Sequence, residues 1–414
     1  MTGKVKMTIL QELQSKVQAV KLAVQQFREM SLHDHKVRIS YLLFRYVSRK
    51  GRADNKWRNY FKVSGKLYLQ EQKNIQDIKE GIFEYSCVNR GCGRGIVICG
   101  GGDRLYGTGL AIIKTIRAQG CDLPVEWFYA DAGEMTEEAI KLLETFNVEC
   151  SNLDSYPELK AVKKRGYQSK AMAIACSKFQ EVLFLDCDNI PIRNPSYLFE
   201  LKEYKETGAL FWKDLWRYQQ GSVFTGPDQR KHMHLLFGIQ EPEVGEFEIE
   251  SGQILIDKSR HWRGVHLFLY MNLHWSIYYK LLYGDKDTYA IAIKSCGSTP
   301  SVVDAPPAAI GILDSDNIFS GYGMIQHDTL GDHCFVHMTM LDLYVKEQQW
   351  NAFVNLTDGV HYHAQSQSIR FSGDTFVVHL LTPELNSWQE RSSNTWKEIL
   401  HEHTDAMESF AKLS

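Results

Sequence analysis

From Gly93 onward the sequence adopts one grammar: short, unbroken apolar runs alternate with longer stretches whose apolar residues recur every three or four positions. An unbroken apolar strand must be buried on both faces, and amphipathic helices are what cover it. The pattern therefore predicts an α/β fold, a mainly parallel sheet between helices. Strands are expected at Ile96–Cys99, Val125–Ala130 and Val182–Leu185, with helices over Gly109–Gln119, Thr136–Phe146 and near Ser169–Lys178. In such folds a ligand sits beyond the carboxyl ends of the strands, where loops and helix amino termini converge. Chemistry is to be sought directly after each apolar run.

Composition excludes several classes. The chain has 414 residues, 44% of them hydrophobic and 23% charged, enough for a real core and too ordinary for a disordered or fibrous protein. A net charge of −3 points to no nucleic-acid partner, but it conceals an asymmetry. Residues 1–80 carry 17 Lys and Arg against 7 Asp and Glu. Within them Leu10, Leu13, Val17, Val20, Val24 and Phe27 fall on one helical stripe, which packs on the protein's own body or pairs two copies. Residues 36–66 interleave basic and aromatic side chains, which suits either an anionic partner or a solvated helical face. No run reaches the roughly 20 apolar residues of a membrane span, and no secretory core opens the chain. The nine cysteines are odd in number and lack C-x-x-C spacing, which favours buried thiols in a reducing compartment. The sequon Asn355-Leu356-Thr357 keeps a lumenal location open.

Two turns carry the chemical signal. After the first strand, Gly100-Gly101-Gly102 lets backbone approach a ligand closely, as a phosphate cradle or as a plain strand-to-helix turn. It matches neither G-x-G-x-x-G nor the lysine-bearing P-loop. After Val182–Leu185 comes Asp186-Cys187-Asp188. Carboxylates at i and i+2 of a strand end can both reach one hard divalent cation, which in turn bridges a nucleotide diphosphate. Asp285-Lys286-Asp287 and Asp314-Ser315-Asp316 repeat the tripeptide, but neither follows an apolar strand in this way.

Seven segments in order then resemble the fungal α-mannosyltransferases that extend cell-wall mannan and N-glycan outer chains. They are Arg94–Ile98, Leu123–Glu126, Tyr167–Ile174, Glu181–Asn189, Thr207–Asp214, Glu250–Gln253 and Gly284–Asp287. The resemblance covers about residues 94–340 and implies a GT-A-like nucleotide-diphospho-sugar transferase fold. It divides the chain into a helical, basic region over 1–85, a transferase domain over 86–345 and an extension over 346–414 packing on that domain.

By the same resemblance Asp186 and Asp188 hold Mn2+, or another divalent cation, and the donor diphosphate. His337 is the third ligand, unless it is a core histidine; His327, His333, His361 and His363 compete for the role. Lys170, Gly100, Gly101 and Lys286 fall on the donor side, although Lys170 also reads as an exposed helical lysine. Glu250 and Gln253 are expected to hydrogen-bond sugar hydroxyls, with Gly252 leaving room for the ring. Asp285 is expected beside the anomeric carbon, or else as a helix N-cap. Trp212 with Asp214 and Asp287 forms the acceptor side, unless Trp212 packs in the core.

The implied activity is metal-dependent, retaining transfer of mannose from GDP-mannose to a glycan hydroxyl in α linkage. Two alternatives stay open: the same fold using a UDP-linked hexose, and a non-catalytic protein binding nucleic acid or anionic lipid through residues 36–66. Familiar members of the family carry a membrane anchor in the Golgi. As written this chain is expected to be soluble, cytoplasmic or peripheral to an anionic membrane, or Golgi-lumenal if its anchor is missing from the sequence.

Overall fold

The computed structural model describes residues 65–391, apart from 161, 163–165, 219–232, 280, 283, 317, 339–351, 356–368, 373–377 and 388. The helix expected over 10–27, all but the end of the basic–aromatic stretch, His361 and His363 lie outside the described residues. Among the described residues no helix is long and apolar enough to cross a membrane.

The expected alternation is present. Strands β1 (Arg94–Cys99), β2 (Val125–Tyr129), β3 (Val148–Asn152) and β4 (Glu181–Leu185) are joined by helices α2 (Gly102–Ala118), α3 (Glu137–Thr145) and α4 (Gln168–Cys176). They follow α1 (Gly65–Glu80). With β6 (Ala209–Arg217), β7 (Phe247–Asp257) and β8 (Ser301–Val302) they form a seven-stranded sheet in the order β3-β2-β1-β4-β7-β6-β8. Only β7 runs against the other six. Ile96, Ile98, Leu183 and Leu185 are fully buried, as strands covered on both faces must be. From β1 the chain moves outward through β2 and β3, then returns to place β4 on the other side of β1. The order reverses between β1 and β4, which is where ligands bind in such sheets, beyond the carboxyl ends of the strands.

A second sheet, β14-β12-β9-β10-β11-β5, is antiparallel throughout. Its strands are β5 (Asn189–Pro191), β9 (Ala308–Leu313), β10 (Ile318–His327), β11 (His333–His337), β12 (Ala352–Asn355) and β14 (Val378–Leu380), with β13 (Ile369–Ser372) paired to β10. Strand β12, from the carboxyl-terminal stretch, extends this sheet by pairing with β9, and β14 pairs with β12 at its edge.

Helix α1 departs from the expected boundary at residue 85. Residues 66–80 belong to the same compact unit as the sheets. Glu71, buried on α1, accepts hydrogen bonds from the hydroxyls of Tyr270 (2.9 Å) and Tyr278 (2.5 Å). Tyr270 lies on α5 (Trp262–Leu273), so the helix is tied down by a buried polar anchor that charge counting does not reveal.

Candidate active site

Asp186 and Asp188 sit at the reversal point, in the short link between β4 and β5. The link is rigid: the Asp186 N–H donates to Gly252 O (2.8 Å), and Asn189 N–H donates to Asp186 O (3.0 Å). Strand β5 pairs with β11 so that Asn189 faces His337. This pairing carries His337 across 149 residues of sequence to Asp188, with Nε2 3.1 Å from Oδ1. Ligand atoms of Asp186, Asp188 and His337 all lie within 4.8 Å of one another.

Around this trio lies a ring of buried charge. Lys170, in the first turn of α4, reaches Asp186 Oδ2 at 2.6 Å and Asp285 Oδ2 at 3.9 Å. Asp285 precedes α6 (Lys286–Ser295) at the N-cap position, yet its side chain makes no cap bond. Its carboxylate instead accepts from the Tyr289 hydroxyl (2.9 Å) and faces Lys170. Glu250 lies where β7 bulges: Leu210 faces Leu255, but Trp212 faces Glu250. In the bulge Glu250 Oε1 accepts from the N–H groups of Ser251 (3.0 Å) and Gly252 (2.7 Å), and stands 3.6 Å from His337 Nδ1.

Burial and charge pull the ionisations apart. Burial pushes the Asp186 carboxyl up to about 6, against the Lys170 ammonium. Burial also resists charge on Asp188, but the imidazolium beside it outweighs this and holds the carboxyl below its usual range. His337 shows the reverse balance: burial disfavours the imidazolium, and Asp188 overcomes it, raising the group to about 9. Lys170 is likewise held charged, burial being outweighed by Asp186 and Asp285. The metal-free cluster thus stores a proton on His337, which a bound cation would displace.

The donor set fits a divalent cation. Two carboxylates and an imidazole offer hard oxygen and nitrogen ligands, and His337 Nδ1 is buried without a hydrogen-bond partner, facing the Glu250 carboxylate that could fix its tautomer. Of the competing histidines, His327 and His333 lie in the second sheet, their rings 5.1 Å apart.

The structure gathers the expected residues but redistributes some of them. Trp212 offers no aromatic floor: it is fully buried, donates Nε1–H to His327 O (2.8 Å) and meets Phe335 edge-on. Gln253 reaches no sugar, being fully buried with Oε1 accepting from Asn189 Nδ2. Gly252 makes room for His337 rather than for a sugar ring, since a Cβ there would lie 2.4 Å from His337 Cε1. Glu250 faces that imidazole and the bulge amides in place of sugar hydroxyls. Lys286 is shared by Asp214 and Glu248, both at 2.5 Å, so its ammonium is committed to an internal trio. Asp287 is buried and accepts from the Tyr218 hydroxyl (3.3 Å). Gly100 and Gly101 are packing glycines at the rim: a Cβ would come 2.8 Å from Cys187 Sγ at the first and 2.4 Å from Glu134 O at the second.

Sequence reasoning missed Glu248 and Tyr289. Glu248 stands two residues before Glu250, a same-face spacing that hints at a shared lining. Tyr289 is one helical turn beyond Asp285, a spacing that allows the contact without singling it out.

The class is thus α/β, a mainly parallel sheet between helices with a carboxylate–imidazole cluster at its strand reversal. Residues 93–328 match the family model described as "Mannosyltransferase putative", and the chain belongs to that family. Alpha-1,2-mannosyltransferase MNN23 of Candida albicans is 28% identical over 374 residues, covering 78% of this chain and 61% of that protein. Alpha-1,2-mannosyltransferase MNN2 of the same organism is 32% identical over 239 residues, 48% of this chain and 40% of its own length. MNN2 of Saccharomyces cerevisiae is 28% identical over 279 residues, 58% and 46%. The chain therefore spans about half the length of these relatives. Among solved structures, galactosyltransferase LgtC with donor and acceptor sugar analogues overlaps 50% of this chain and 72% of its own at 15% identity and a TM-score of 0.33. The mannosyltransferase Ktr4p of S. cerevisiae overlaps 55% and 75% at 10% identity and a TM-score of 0.32. Overlaps at that level carry no functional information.

Proposed function

We propose that this chain is a metal-dependent, retaining glycosyltransferase that moves mannose from GDP-mannose to a hydroxyl of a glycan acceptor in α linkage. One observation carries the reading: Asp186, Asp188 and His337 converge to within 4.8 Å at the strand reversal, with Lys170 against them. A divalent cation held there would neutralise the charge that develops on a departing nucleotide diphosphate. Lys170 adds a fixed positive charge to the same region, and its contact with Asp186 keeps it there. Asp285, only 4% exposed at its side chain, is held by Tyr289 and Lys170 where it can stabilise positive charge growing on the sugar. In retention the acceptor hydroxyl can pass its proton to the leaving diphosphate, so no water-activating base is needed. The α-1,2-mannosyltransferase names of the relatives support mannose as the sugar.

Asp188→Asn preserves the side-chain volume and removes a cation ligand. Transfer is expected to fall by about a hundredfold or more while the far-ultraviolet circular dichroism stays that of the wild type; the melting temperature falls, because Asp188 also pairs with the buried His337 imidazolium. Turnover equal to wild type would remove the premise. Assaying wild type with GDP-mannose and UDP-hexoses, with Mn2+ or a chelator, tests donor and metal together; transfer only from a UDP-sugar would replace the donor and leave the site intact.

A further inference from the structure

Helix α4 is buried from Gln168 and Ala171 through Cys176, yet the residue immediately before it, Tyr167, is 58% exposed. The ring thus offers an aromatic face to solvent within reach of the buried charge cluster. Tyr167 lies one helical turn before Lys170, whose Nζ is 6.0 Å from the ring centroid and at the same time touches Asp186. The ring is seated from below by Gly284, where a Cβ would come 3.3 Å from Cδ2. Gly284 adopts φ +77°, the left-handed region that side chains other than glycine rarely enter, and it directly precedes Asp285. One edge of the ring is thus fixed against the segment carrying Asp285 while the rest of it meets solvent.

We infer that Tyr167 is the stacking platform for a hexopyranose of the acceptor. The apolar C–H face of a pyranose packs on an aromatic ring, and the nearby ammonium and carboxylates meet its hydroxyls. The acceptor is assigned, rather than the donor sugar, by position. A donor held by a cation at the cluster would have its diphosphate at Asp186, which Lys170 touches, whereas Tyr167, 58% exposed with its ring centroid 6.0 Å from Lys170 Nζ, is open to a ligand arriving from solvent. This assignment rests on the transferase reading above.

The test uses the full chain with a soluble α-mannotriose as acceptor. Tyr167→Ala is expected to raise the acceptor KM about five- to tenfold, with the KM for GDP-mannose moving less than twofold. Tyr167→Phe keeps the ring face and is expected to restore the wild-type acceptor KM. An unchanged acceptor KM in Tyr167→Ala, or an equal rise in both KM values, overturns the inference. A second readout needs no turnover: saturation-transfer NMR of α-mannotriose on the metal-free protein should weaken in Tyr167→Ala and persist in Tyr167→Phe, and equal signals in all three proteins overturn the inference too. If wild type transfers no sugar yet this NMR pattern appears, the transferase reading fails and the binding platform stands.

Discussion

At the scale of single residues, the geometry assigns Glu250 to His337 rather than to a substrate. The His337 imidazole has one nitrogen turned to Asp188 and the other, otherwise unpartnered, 3.6 Å from Glu250. A carboxylate behind a ligating imidazole holds its tautomer and raises its basicity. Glu250→Gln keeps an acceptor for the bulge amides while removing the charge, so it is expected to weaken Mn2+ binding about tenfold in titration calorimetry. Gly252→Ala is the steric counterpart. Its Cβ would fall 2.4 Å from His337 Cε1 and 3.1 Å from Glu250 Oε1, so the ring must leave its place. Unchanged Mn2+ affinity in both variants would show that His337 is a core histidine and no ligand.

At the scale of elements, the site is an outcome of strand pairing, and this sets what the sequence could disclose. The apolar run Val182–Leu185 announces β4, and Asp186 and Asp188 are legible because they follow it directly. His337 is legible for a similar reason, closing the apolar stretch of β11. What brings these together is the β5–β11 ladder, and β5 is three residues long, too short to leave a periodic signature. Trp212 was ambiguous because an aromatic in a strand suits a core and a sugar floor equally; only the second sheet packing over β6 decides it. The trio of Lys286, Asp214 and Glu248 joins α6, β6 and β7, and no local spacing encodes it. All three side chains are at most 13% exposed, so the single Lys286 ammonium is the charge that offsets both carboxylates. Burial, against the Lys286 ammonium, already raises Asp214 to about 7. Lys286→Met would leave two buried carboxylates unpaired, at a cost of about 3–5 kcal/mol in urea unfolding at pH 8. Protonation relieves unpaired carboxylates, so the cost should shrink at pH 5.5. A cost below about 1 kcal/mol at pH 8, or one independent of pH, would mean that water reaches the trio.

For the whole molecule, the same buried charges set how stability depends on pH. A group that binds its proton more tightly when folded stabilises the fold below its unfolded pKa, and loses that contribution as pH rises through its folded pKa. His337, raised from 6.5 to about 9, and Asp214, raised to about 7, both belong to this kind. The buried histidines His266 and His327 have the opposite shift, burial lowering each to about 4, so their effect is largely complete by pH 6.5. Lys258, lowered by burial to about 8, acts in the opposite sense only above that value. Between about pH 6.5 and 8, then, His337 and Asp214 both weaken the metal-free fold as pH rises, while His261, His266, His327 and His333, all lowered by burial, add only the last part of an opposite effect, and the metal-free protein should lose stability. His337 alone contributes about 2 kcal/mol across that interval. A divalent cation needs the imidazole neutral, so its affinity rises over the same interval and its binding offsets the loss. Thermal melts at pH 6.5 and 8 should therefore show a falling melting temperature in chelator and a smaller fall, or a rise, in excess Mn2+. Parallel pH slopes in the two conditions would separate the acidic pair and His337 from any cation.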